Sequence, residues 1–404
     1  MNELAIAWEW LEFAVRWLHV VTAIAWIGSS FYFIALDLGL VHRPHLPNGV
    51  KGEEWQVHGG GFYHIQKYTV APETLPEHLT WFKWEAYTTW LSGAALLAIV
   101  YYVGADLYLL DPTVLDIPAI FAIALSAGSL VVGWLAYNFL CRRFEGKSDT
   151  MLMMLLFGVL VAMSLFYTSV FSGRAALLHL GCFTATIMAA NVFFIIMPNQ
   201  RIVVDDMKAG RTPDPIYGVI AKQRSTHNNY LTLPVVFLML SVHYPLAFAT
   251  PYNWAIASLV FLMGVTIRHY FNTKHARRAA PNWTWAATAS IFVIIVWLSG
   301  FTHEQEEEEA ANIPSQFWAY SERAEFEEAV SIVQGRCSMC HARDPLWEGL
   351  ITAPGGVYLE TEADIAKHIW PIYIQSATTH AMPPGNLTGI TNDERALLKK
   401  WFEG

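Results

Sequence analysis

Residues 13–38 read FAVRWLHVVTAIAWIGSSFYFIALDL, with Arg16 and Asp37 as the only charged side chains. An α-helix needs about 20 mostly apolar residues to cross roughly 30 Å of hydrocarbon, and this run is long enough. Seven further stretches pass the same test: Ala86–Val103, Ile117–Leu140, Leu152–Ser172, Ala175–Met197, Leu231–Phe248, Trp254–Phe271 and Trp285–Phe301. The pattern predicts eight transmembrane helices. Pro234 and Pro245 interrupt the sixth, which a span tolerates where neighbours satisfy the freed carbonyls. Glu3, Glu9 and Glu12 precede the first run and no small-residue cleavage site follows it. It therefore reads as an anchor, not a cleaved signal peptide.

Composition points the same way. Of 404 residues 54% are hydrophobic and only 15% charged, against about 25% charged in a soluble domain. Charges are scarce from Phe13 to Phe301 and dense from His303 onward. A formal net charge of −9 with no basic stripe excludes nucleic acid as a partner, because nothing would neutralise phosphates. The 17 Trp suit helices anchored by indole rings at a membrane interface. Lys and Arg concentrate after the first, third, fifth and seventh runs (Arg43, Lys51, Lys67, Lys83; Arg142, Arg143, Lys147; Arg201 to Arg224; Lys274, Arg277, Arg278), while the other connections carry at most Arg174. Positive-inside asymmetry then puts both termini outside, in the periplasm of a bacterium, with the chain in its inner membrane. Cys141 and Cys182 lie in apolar runs and read as packing residues.

The expected fold is all-α: an eight-helix integral membrane bundle over residues 1–302, an acidic linker at 303–314, and a small class I-like cytochrome c domain over 315–404. Leu18-His19 followed by Ala25, Ile27 and Phe33 recurs at one constant offset as Leu178-His179, Ala185, Ile187 and Phe193, which would make the bundle two parallel four-helix repeats.

The tail carries the chemistry. Cys337-Ser338-Met339-Cys340-His341 is a C-x-x-C-H motif, the attachment signature of one covalent haem c. Both thiols would add across the porphyrin vinyl groups, with His341 as the proximal iron ligand. Met382, in Ala381-Met382-Pro383-Pro384-Gly385, fits as the sixth ligand, with His380 as the rival. A zinc site lacks the second Cys/His pair it would need.

Ionisable residues inside spans suggest function by default. His19, His179 and His243 fall in the outer half of the predicted bundle. Each either hydrogen-bonds to a neighbouring helix or serves a second redox group or substrate, His19 and His179 as a pair of axial ligands to a b-type haem. Arg268-His269 sits near the inner face and reads as snorkelling. The loop after the first span, with Trp55, His58, Gly59-Gly60-Gly61, Phe62, His64, Trp81, Trp84 and Glu85, is too aromatic for a disordered linker. It is either a functional loop or an interfacial segment lying on the bilayer. Arg224-Ser225-Thr226-His227-Asn228-Asn229-Tyr230 opens the sixth span on the same side. His58, His64, Glu85 and His227 are the inner-face candidates.

Taken together, Leu18–Gly28, the Trp55–His64 glycine loop, Trp81–Trp90, His227–Pro234 and the terminal C-x-x-C-H resemble the bacterial membrane-bound, cytochrome c-type urate oxidase (urate hydroxylase) family, over essentially the whole chain. The resemblance implies oxidation of urate to 5-hydroxyisourate without peroxide release. Electrons would pass to the haem on Cys337, Cys340, His341 and Met382, then to a respiratory acceptor, a soluble cytochrome c or a terminal oxidase. Two other classes compete: another membrane dehydrogenase with a tethered cytochrome c, and a non-enzymatic anchor or transporter carrying an electron shuttle. A haem-copper oxidase is disfavoured, because the spans lack the cluster of histidines a binuclear copper site needs.

Overall fold

A computed structural model describes residues 2–70, 72, 75–111, 114–145, 147–300, 313, 317–348, 350 and 353–404, with backbone alone for residues 2–5. The acidic linker expected at 303–314 lies outside the described residues except for Ile313. The chain divides into two compact units, Met1–Met239 with Trp254–Leu298, and Leu240–Asn253 with Ser299–Gly404.

The first unit is helical apart from one hairpin. Helix α1 (Asn2–Gly39) leads into strands β1 (Val50–His58) and β2 (Gly61–Tyr68), followed by α2 (Trp84–Leu96), which widens into a π-helical turn over Leu97–Tyr102. Then come α3 (Ala119–Arg143), α4 (Asp149–Thr168) and α5 (Gly173–Ala190), which passes through a π-helical turn, Asn191–Ile196, into α6 (Met197–Lys208). Helices α7 (Pro215–Ser241), α8 (Asn253–His275) and α9 (Trp283–Ser299) complete the run. Ser148 and Ser172 start α4 and α5 by accepting the amide N–H of Met151 and Ala175, each at 3.3 Å, which satisfies donors a first turn leaves free.

Among the described residues five helices are long and apolar enough to cross a membrane: Ile6–Gly39, Ala119–Arg143, Asp149–Thr168, Gly173–Lys208 and Asn253–His275. Trp283–Ser299 is apolar but shorter. The protein is a multi-pass membrane protein with the lipid bilayer as its solvent. Trp17, Ile24, Val131, Leu135, Phe139, Val293 and Trp297 are exposed, as lipid-facing side chains are. The sixth expected span, Leu231–Phe248, differs most from its prediction. Helix α7 begins sixteen residues earlier, at Pro215, and stops at Ser241, before a single 3₁₀ turn at Pro245–Ala247. The polar run Arg224–Tyr230 hides this helix from a hydropathy reading, because Arg224, His227, Asn228 and Asn229 are buried against other helices instead of facing lipid. Pro234 sits inside α7. Its ring fits because α8 presents Gly264 there; a Cβ on Gly264 would lie 2.5 Å from Pro234 Cδ.

Helix α5 lies in the interior, and its close neighbours are set by small residues. Gly133 of α3 faces the buried Phe183 ring so closely that a Cβ would overlap it. The two halves of the suggested repeat differ in setting: the α5 histidine is fully buried, whereas His19 on α1 is half-buried.

The aromatic loop after α1 is a β-hairpin. Trp55 faces His64 and Val57 faces Phe62 across the antiparallel pair, and the turn uses Gly59 and Gly60 at positive φ, a conformation that costs glycine little. Buried Glu53 accepts from His64 Nε2 at 2.7 Å and pairs with Arg43 at 3.0 Å. The His64 hydrogen bond holds its carboxyl below the usual range.

In the second unit α10 (Trp318–Ser321), α11 (Phe326–Arg336), α12 (Glu362–Lys367), α13 (Ile369–Ile372) and α14 (Asn392–Glu403) surround buried Trp401, Val333 and Leu398. The Phe326 and Trp401 rings are 5.8 Å apart. Thr361 and Thr391 form capping boxes with Asp364 and Glu394.

Overpacking a filled site costs about 1–3 kcal/mol. Gly133→Ala should therefore lower the thermal unfolding midpoint in detergent, while Gly128→Ala, where nothing lies within 4 Å, should not lower it, since alanine is the better helix former.

Candidate functional site

Helix α7 gathers the buried polar side chains. Arg224, His227 and Asn228, at helical spacing i, i+3 and i+4, share a face and meet α3 and the π-helical turn after α5. Tyr137 Oη is 2.8 Å from His227 Nδ1 and accepts from Asn191 Nδ2 at 3.0 Å. With that lone pair used, the phenol proton is free to go to His227 Nδ1, which leaves the ring's remaining proton on Nε2. Asn191 Nδ2 also donates to Asn228 Oδ1 at 2.9 Å, and Asn228 Nδ2 to the Met188 carbonyl at 2.9 Å. Arg224 lies over the Tyr137 ring at 5.0 Å and donates one Nη2 hydrogen bond to Asn138 Oδ1 at 3.0 Å.

This network is open. Arg224 is 2% exposed and Asn191 0%, yet Arg224 Nε and Nη1 and Asn191 Oδ1 find no hydrogen-bond partner among the described residues. A buried polar group without a partner costs about 1–3 kcal/mol, more if charged. Glu85 stands beside Ala86 at the start of α2, and Ala86 packs in one apolar cluster with Val192 and with Ala221, one turn before Arg224. Glu85 Oε2 is likewise without a partner.

Two other buried networks differ. Around α5, His179 Nδ1 donates to the Ala175 carbonyl at 2.7 Å and Nε2 is 2.9 Å from Ser126 Oγ. Tyr102 is 2.9 Å from Ser126 Oγ, and Tyr167 2.7 Å from Ser129 Oγ. Every polar atom named in that set has a partner, as packing histidines do. On the far side of α7, Arg268 donates to Asn229 Oδ1 at 3.1 and 3.2 Å and to Asn272 Oδ1 at 2.8 Å, and lies 4.0 Å over the Phe31 ring. Arg268 is 4% exposed, so the snorkelling expectation is corrected: the guanidinium ties α7 to α8 and to α1.

The remaining candidates scatter. His19 Nδ1 is 2.9 Å from the Thr89 carbonyl and 3.2 Å from Ser92 Oγ, so it joins α1 to α2. His243 is exposed, in the turn after α7 that belongs to the second unit. His58 is exposed at the hairpin tip, and His64 is held by Glu53 with its ring stacked 4.2 Å from Trp55. Of the inner-face candidates, the structure places His227 in the open network and Glu85 beside its apolar border. Tyr137, Asn138 and Asn191 were missed. The Tyr137-Asn138 pair and Asn191 are isolated polar positions in otherwise apolar runs, and only tertiary packing shows which of these face inward.

In the second unit Cys337, Cys340 and His341 share one turn, in which the amides of Cys340 and His341 donate to the Cys337 carbonyl at 3.1 and 2.9 Å. Cys337 is buried, Cys340 and Met382 half-buried, and both cysteines are free thiols. Burial pushes the Cys337 thiol up to about 11 and also raises Cys340. His341 Nδ1 donates to the Val357 carbonyl at 3.0 Å, and burial lowers its basicity. His380 is exposed. Among the described residues no group of three or more His, Cys, Asp or Glu is placed to hold a metal ion. On that finding the haem c, iron, metal-binding and cytochrome c expectations are corrected. The b-type haem is corrected on a second ground as well: both ring nitrogens of His179 are taken, and His19 is turned to α2.

Residues 5–299 match the family described as Urate oxidase N-terminal. The chain belongs to that family. No curated protein matches it, and no solved structure does. The region shared with the Urate oxidase N-terminal family holds the α7 networks and the hairpin, and ends before the C-x-x-C-H motif at Cys337.

Burial also sets a pH response in the second unit. Desolvation lowers His368 to about 4, from an unfolded value near 6.5. Between these values the unfolded chain binds the extra proton, so stability rises with pH there. Thermal unfolding of this unit should fall as pH drops from about 6.5 toward 4, and His368→Gln should flatten that part of the profile.

Proposed function

We propose that the protein oxidises urate to 5-hydroxyisourate within its membrane-embedded unit and passes the electrons to a respiratory acceptor, a soluble cytochrome c or a terminal oxidase, instead of directly to oxygen. Family membership over residues 5–299 is the observation that carries the reading. Urate gains a hydroxyl from water and loses two electrons and two protons, so the acceptor must take both electrons and no peroxide forms. The chain acts in a bacterial inner membrane, residues 1–302 as the embedded part and 315–404 as a separate polar domain. The Lys and Arg distribution supports a periplasmic N-terminus and C-terminal domain.

The open network of α3, α5 and α7 supports a small polar substrate bound inside the unit. Sites for such ligands are concave, mostly apolar, and furnished with a few convergent polar groups. Here Tyr137 supplies an aromatic face, and the polar groups are Arg224, Asn191 and His227. What these residues do is bind and orient, since Tyr137 fixes the His227 ring and Asn228 fixes the Asn191 amide.

The test uses the full-length protein in lipid nanodiscs without oxygen. Urate should be consumed when oxidised soluble cytochrome c or ferricyanide is supplied, with two equivalents reduced per urate, and no peroxide should accumulate when air is admitted. Absence of urate consumption with every acceptor, or peroxide formed in step with urate loss, would contradict the reading.

A further inference from the structure

The geometry points to the open face of α7 as an anion-binding site: Arg224 and Asn191 together bind a planar, negatively charged nitrogen heterocycle whose edge carries a carbonyl oxygen next to a ring N–H. This rests on the proposed function only in taking urate as the natural example of that class.

The observation is a mismatch between burial and bonding. A guanidinium is always charged, and its N–H groups are arranged to meet oxygen acceptors in a plane. Arg224 uses Nη2 on Asn138, and its guanidinium also faces the Tyr137 hydroxyl and the Cys141 thiol, while Nε and Nη1 make no well-aligned hydrogen bond among the described residues. No carboxylate lies within salt-bridge distance of it among the described residues, whereas a buried charge is normally paired. Asn191 contributes the opposite polarity. Its amide nitrogen is committed to Tyr137 and Asn228, which fixes the side chain so that Oδ1 is left as an acceptor. A ligand satisfying both must offer acceptor oxygens with negative charge and at least one N–H or O–H donor.

Hydrogen phosphate could answer both atoms through an oxygen and its P–OH but has no flat face to lie along the Tyr137 ring, and an ammonium ligand fails at Arg224. The Tyr137 phenol ring under the guanidinium favours a flat ligand in the same layer, since aromatic faces and planar cations stack together. Urate at neutral pH is a planar monoanion with carbonyl oxygens and ring N–H groups round its edge. Orotate belongs to the same chemical class.

The experiment measures binding without turnover. Full-length protein in nanodiscs, without oxygen or acceptor, is dialysed to equilibrium against radiolabelled urate and, separately, orotate. Arg224→Gln and Asn191→Asp should each weaken binding at least tenfold. Arg224→Lys, which keeps the charge but loses the planar donors, should fall between wild type and Arg224→Gln. Thermal unfolding without ligand checks that each variant is folded, and Arg224→Lys keeps the test decisive if the glutamine variant is not. Wild-type affinity for both probes in folded Arg224→Lys and Asn191→Asp overturns the site, even where the protein oxidises urate. Orotate binding that depends on Arg224, in a protein that leaves urate unchanged, supports the site and removes the proposed function.

Discussion

Hydrocarbon offers no hydrogen bonds, so a polar side chain buried in a membrane unit must be answered by another side chain, by backbone or by a ligand. That constraint organises the first unit around α7. One face of this helix sends Arg224, His227 and Asn228 to α3 and α5, and the adjacent face sends Asn229 to Arg268 and Asn272 of α8. The apolar surface elsewhere on the unit is permissive, since lipid accepts Leu, Phe or Trp alike. Polar pairing is what selects which helices meet.

The three buried networks then separate by how well they close. The α5 set has partners for both His179 nitrogens, which suits a structural role. The Arg268 set is nearly closed and sits where a charge would otherwise be stranded. Only the Arg224 set combines an unmatched donor group with an unmatched acceptor. Protein interiors rarely leave such groups idle, and functional sites are the usual exception, because the missing partner arrives with the substrate. The π-helical turn at Asn191–Ile196 has a part in this: π turns are frequent at functional sites, and this one begins at the residue whose acceptor is open.

Much of the fold was legible in the sequence. Hydropathy located α1, α3, α4 and α8 because helices exposed to lipid must be apolar over their length, and α5 because its buried faces are apolar too. It failed at α7, where Arg224 to Tyr230 look like a loop until their partners are known, and it stopped at the glycine-rich turn instead of pairing Trp55 with His64 across a hairpin. His227 and Glu85 were within reach, since ionisable residues near spans invite functional readings. Tyr137, Asn138 and Asn191 were not, for isolated polar positions in an apolar run have no periodic signal. The C-x-x-C-H motif shows the opposite failure. A local signature announced a metal centre, and no metal-holding group was found among the described residues. The family match ends at residue 299, before that motif.

The central claim is that a substrate occupies the gap in the α3–α5–α7 network. Electron cryomicroscopy of the full chain in nanodiscs with saturating urate tests it most directly. The account predicts density for a flat ligand against the Arg224 guanidinium and within hydrogen-bonding distance of Asn191 Oδ1. Urate density at another place, with Arg224 and Asn191 bonded to each other or to neighbouring helices, would contradict it.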